Sequence, residues 1–87
     1  MPWIITSDHL DKKAVRVTST DYLEKNDAEL TLRFRLYDDD GILHYSGRMH
    51  PNDDDQMSAF APLDDYGMPN SGCTEIHIFE NDQWVTL

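Results

Sequence analysis

The sequence predicts a mainly β domain of the α+β kind. The expected architecture is a curled antiparallel sheet or small barrel of five to six strands with one short helix near 53–61, in the order β-β-β-β-α-β-β. Three observations lead there. Apolar and polar residues alternate in AELTLRFRLYD, as they do on a strand buried on one face. Turn-forming clusters, DDDG and ND, separate the apolar runs. Hydrophobic residues make up 39% of the 87 and aromatics 10%, enough for one packed core, so residues 1–87 form a single domain.

The first strand is WIIT, residues 3–6, and the second is AVRVTS, 14–19, with Val15 and Val17 inward. KND, 25–27, turns the chain after one helical turn at DYLEK. In the third strand Leu30, Leu32, Phe34 and Leu36 face in, and Thr31, Arg33, Arg35 and Tyr37 face out. The fourth strand, ILHYSGRMH, places Leu43, Tyr45 and Met49 inward. A two-residue turn within DDDG brings Leu36 opposite Leu43 or Tyr45 and keeps all seven apolar residues on one face. A three-residue loop would turn the fourth strand over. The middle strands are expected to form a meander.

The helix follows. Asn52 is its N-cap, and Asp53, Asp54 and Asp55 fill a first turn where the helix dipole favours negative charge. Met57, Phe60 and Ala61 form its buried stripe, Pro62 ends it, and Asp64 and Asp65 lie in the loop beyond. TEIHIF, 74–79, and WVTL form a last hairpin across ND, with Ile76 and Ile78 on one face. Trp3, Trp84, Phe60, Phe79 and the tyrosines are expected in the core or at its edge.

Charge is unevenly placed. Residues 1–48 carry nine acids and seven bases, and residues 49–87 carry eight acids and no base, for a net charge of −10. The second half should repel nucleic acid and anionic membranes and attract basic partners. The strand phase sends Arg16, Arg33, Arg35 and Arg48 to the outer face of the sheet, with His44 and Tyr37 among them. Like charges facing each other across strands are destabilising. They need carboxylates from elsewhere in the fold, a bound anion or a partner.

Recognisable chemistry is sparse. LYDDDG has Leu36 at the first ligand position of a calcium loop and Gly47 at the twelfth, so the pattern fails and a hairpin turn stands in its place. Cys73 and His77 share a strand face but fall short of the four ligands of a structural zinc site. Cys73 also lies in the half without bases, a poor setting for a thiolate nucleophile. The four glycines form no phosphate-binding loop. No catalytic residue, metal or cofactor is expected, and the sequence leans away from an enzyme.

No apolar run approaches the roughly 20 residues that span a bilayer. The start lacks a basic, then apolar, leader. One cysteine fits a reducing compartment, so a cytoplasmic location is expected. The leading expectation is a non-catalytic acidic interaction or regulatory module. It would present Asp53, Asp54, Asp55, Asp64 and Asp65 to a basic protein surface, with nucleic-acid mimicry as its sharpest form. The alternative is a small β module holding an anionic ligand or single-stranded nucleic acid on Arg16, Arg33, Arg35, His44 and Arg48. A homodimer through an exposed strand edge is compatible with either.

Overall fold

Alternating sequence becomes alternating burial. In the computed structural model, residues 2–51 and 59–87 are described. They contain six antiparallel strands: β1 Trp3–Asp8, β2 Lys13–Thr18, β3 Leu32–Tyr37, β4 Leu43–Met49, β5 Glu75–Glu80 and β6 Gln83–Thr86. They lie side by side in one sheet, in the order β2-β1-β4-β3-β5-β6. The outermost strands, β2 and β6, do not pair with each other, so the sheet is open rather than a barrel. The expected meander is also corrected. β1 sits between β2 and β4, so a β1–β2 hairpin and a β3–β4 hairpin join along β1 and β4.

This order forces the chain to travel from the β2 edge past β1 and β4 before β3 begins. Residues 19–31 make that crossing and include a 3-10 helix, Glu24–Glu29. Arg48 reaches this crossing, and its Nη1 donates to the carbonyls of Asp27 and Leu30 at 3.3 Å each. Leu30 and Ile4 are buried but stand apart from the main apolar cluster. Leu30 therefore precedes β3 and does not continue its inner face.

The main cluster lies on one side of the sheet, built from Trp3, Ile5, Phe34, Leu36, Met49, Ile76 and Ile78. Each such side chain, once fully buried, contributes about 1.5–3 kcal/mol. Helical residues 59–71 cover this side, in a π-helical turn, Leu63–Gly67, followed by α1, Met68–Ser71. Two sequence expectations change here. Pro62 does not end a helix: it is buried within the helical run, at φ −60° and ψ −35°, just before the π turn. Asp64 and Asp65 consequently ride on a helix and not on a loop. Phe60 and Ala61 do pack against the cluster, as their spacing implied. Asn52, Asp53, Asp54, Asp55 and Met57 lie outside the described residues.

The β3–β4 link departs from the expected two-residue turn. The Asp38 amide donates to the Ile42 carbonyl, leaving three residues, 39–41, at the tip, with Gly41 at φ +77°. Such a loop by itself would turn β4 over. The register slips by one residue between Leu36 and Tyr37, so Tyr37 pairs with Leu43 while Leu36 pairs with Tyr45. A β-bulge absorbs the extra residue, His44. Tyr45 and Met49 thus keep their inward phase. Leu43 moves to Tyr37's outer side, and His44 is buried.

Gly47 lies at the crowded centre of the sheet, opposite both Ile5 and Phe34. A Cβ there would overlap the Ile4 carbonyl oxygen, so only glycine fits. The β5–β6 hairpin pairs Glu80 with Gln83 across Asn81 and Asp82. Both turn residues have positive φ, 54° and 62°, the type I′ geometry whose twist matches the strands. Among the described residues no helix is long and apolar enough to cross a membrane.

Candidate anion-binding face

The side of the sheet away from the helix is covered only in part. At its β1–β2 end the crossing segment draws two arginines into a relay. Arg16 donates to the Tyr22 hydroxyl at 3.3 Å, and that hydroxyl donates to the Asp27 carboxylate at 2.7 Å. Arg48 meets the same carboxylate at 3.3 Å. The Tyr22 hydrogen bond, with help from Arg48, holds the Asp27 carboxyl below its ordinary range. The same tyrosine raises the Arg16 guanidinium above its ordinary value. Arg48 pairs directly with Arg33 across β3 and β4, so Asp27 offsets part of a like-charge contact.

Beyond that cover the face is open among the described residues. Arg33 and Arg35 stand on β3, and neither has an ion-pair partner among the described residues. Aromatic rings take that place. The Arg35 guanidinium lies 4.0 Å from the centre of the Trp84 ring. Arg33 lies 5.0 Å from the Phe79 ring and 5.4 Å from Trp84. Phe79 and Trp84 pair across the β5–β6 hairpin with ring centres 5.3 Å apart. Beside them, the Tyr37 and His77 rings are in tilted contact, with centres 4.3 Å apart.

Cation–π contact contributes about 0.5–1 kcal/mol at exposed sites. Its larger effect here is to restrict each guanidinium without using its N–H donors. Both guanidinia line a shallow groove of about 290 Å³, together with Arg48, Ser46, His9 and Trp84. His9 and Ser46, which also line it, contact each other at 2.9 Å, so the groove carries further hydrogen-bonding groups beside its arginines.

The site is therefore narrower than the sequence suggested, and it includes groups that were missed. Arg33, Arg35 and Arg48 come together. Arg16 sits on β2, separated from β3 by β1 and β4, and is engaged with Tyr22. His44 does not join the arginines. The bulge turns it inward, where its Nε2 meets the Asp38 carboxylate at 2.8 Å. That hydrogen bond, with backbone donors from Ile42 and Asp40, holds the Asp38 carboxyl below its ordinary range. Trp84 and Phe79, expected in the core or at its edge, occupy the outer face. Period two carried this signal, because inward Ile76 and Ile78 require an outward Phe79.

Cys73 and His77 also separate. Cys73 is fully buried in the main cluster, whereas His77 lies outside against Tyr37. Burial pushes the Cys73 thiol above its ordinary pKa, which suits a packed thiol rather than a nucleophile. Asp64 and Asp65 are exposed on the helical side, without ion-pair partners among the described residues, and Asp53, Asp54 and Asp55 lie outside those residues. The carboxylates of Asp38, Asp39 and Asp40 gather within 4.8 Å, but Asp38 is already committed to His44 and to the turn amides of Asp40 and Ile42. Comparisons with protein-family models, with curated proteins and with solved structures found no match.

Proposed function

We propose that this chain is a non-catalytic binding module that holds an anionic ligand on the open arginine face of its sheet. One observation carries the reading. Among the described residues Arg33 and Arg35 are held against Trp84 and Phe79 with no carboxylate paired to them, beside a groove that also offers Ser46 and His9. Guanidinium edges fixed in this way suit planar or tetrahedral oxyanions, which they grip through paired N–H donors. The fold supplies the rigidity, since both arginines stand on a strand flanked by paired neighbours on each side.

Titration with pyrophosphate, followed by tryptophan fluorescence, tests this. Trp84 stacks on Arg35 while Trp3 is buried, so the signal change should come from the arginine face. Binding should weaken with salt, disappear in a combined Arg33→Ser, Arg35→Ser variant and persist in Asp64→Asn, Asp65→Asn. Binding that survives removal of both arginines would refute the reading, as would a complete absence of response.

A second reading keeps the acidic module. Asp64 and Asp65 are adjacent, exposed and unpaired among the described residues, on the layer opposite the arginines. A basic partner, including a nucleic-acid-binding protein deceived by carboxylates in place of phosphates, would dock there. That interaction should vanish in Asp64→Asn, Asp65→Asn and survive loss of the arginines.

A further inference from the structure

We propose that the ligand of the arginine face is a short stretch of single-stranded nucleic acid, with its phosphates on Arg33 and Arg35 and its bases against the surrounding rings. This inference rests on the anion-binding reading and adds the chemistry of the rest of the ligand. A lone oxyanion requires the guanidinia and little else. The face contains more. Tyr37, His77, Phe79 and Trp84 all stand on the outer side, in stacked or tilted contact with each other or with the arginines.

Rings interleaved with arginines, on a sheet face that the described residues leave open, match a ligand that alternates charge with flat apolar surface, as a single strand does. Self-association of this face is disfavoured, because two copies face to face would bring their arginines together. A duplex fits poorly as well. Its bases are hidden, and it brings one charge per roughly 1.7 Å toward a chain of net charge −10. That same net charge limits the footprint to the few nucleotides the face can span. With two phosphates neutralised, the logarithm of affinity should fall by about 1.4 per tenfold rise in salt.

The test titrates the full chain with a short oligothymidylate, the matching duplex, pyrophosphate and an oligo-aspartate peptide, reading tryptophan fluorescence at low salt. The oligothymidylate should quench and should bind at least about tenfold more tightly than pyrophosphate, since stacking adds to the phosphate contacts. Phe79→Leu should weaken the oligothymidylate about tenfold and leave pyrophosphate unchanged. Arg35→Ser should weaken both. Arg35→Lys, which keeps the charge, should recover pyrophosphate more fully than the oligonucleotide, and thermal melts of each variant confirm the fold.

Pyrophosphate binding without tighter oligothymidylate binding would overturn the nucleic-acid inference and leave the anion face standing. Preference for the duplex or for oligo-aspartate would overturn it too. Silence from every probe would remove both.

Discussion

Arg35 and Trp84 are in contact although β5 lies between their strands: the guanidinium on β3 sits 4.0 Å from the centre of an indole carried by β6. The indole thus folds back over the sheet from a four-residue edge strand. It fastens that strand and positions the arginine at once.

Replacing Trp84 with alanine removes the stacks with Arg35 and Arg33 and the contact with Phe79. One aromatic pair and one or two exposed cation–π contacts together predict a loss of about 2 kcal/mol. Urea unfolding measures it. A loss within about 0.5 kcal/mol, the scatter of ordinary surface changes, would mean that the indole does not hold β6 in solution.

The origin of this stack shows what could be read from the chain. Period two in LTLRFRLY placed Phe34 and Leu36 inside and Arg33 and Arg35 outside without knowledge of any partner strand. The same period in EIHIF sets Ile76 and Ile78 against Phe79, but hydrophobicity alone places Phe79 in the core or at its edge, over the phase of its strand. Pairing between β1 and β4 was not legible at all. Nothing local encodes which of two compatible edges meet, since the energy of that choice lies in the assembled core. The bulge at His44 belongs to the same class. Loop length and strand phase conflict in the sequence, and only the packed sheet resolves them, by turning one residue inward.

The carboxylate that His44 meets, Asp38, makes stability pH-dependent. The hydrogen bond with His44 is the chief cause that holds the Asp38 carboxyl below its ordinary range. A lowered carboxyl contributes stability above its unfolded value and loses it as pH falls through the folded value. The wild-type urea midpoint should therefore decline from about pH 4 downward, where the unfolded chain takes up the proton first. Asp38→Asn keeps an oxygen for the turn amides but cannot ionise. It should start lower at pH 6 and show a shallower acid decline. An unchanged slope between pH 5 and pH 2.5 would place the acid sensitivity elsewhere, with Asp27 the next group to test.

Cys73 offers a different control. It is fully buried between the helix and the sheet, 3.2 Å from where a Cβ on Gly67 would lie. Its thiol is raised by burial, so little thiolate forms at neutral pH and access requires an opening of the fold. Labelling with a disulfide reagent at pH 8 should be more than about a hundredfold slower than in urea-unfolded protein. Fast native labelling would show an exposed thiol and reopen the nucleophile that the packing argues against.

Asp27 couples stability to binding. Its carboxylate receives the Tyr22 hydroxyl and Arg48, and so withdraws one of the three guanidinia beside the groove from solvent anions. Asp27→Asn retains an acceptor for Tyr22 but loses the charge that neutralises Arg48. Two effects of opposite sign should follow. The fold should weaken, because Arg48 then faces Arg33 across the strands with less compensation. Affinity for an anion should rise about two- to fivefold at low salt, since a third guanidinium becomes available. The gain should fade as salt shortens the screening length to about 8 Å and less. Pyrophosphate titrations of the two proteins at several salt concentrations, beside their urea midpoints, separate the effects. A variant that loses stability without gaining affinity would show that Arg48 takes no part in the site. A gain that persists at high salt would show that removing the carboxylate changes the shape of the groove and not its charge.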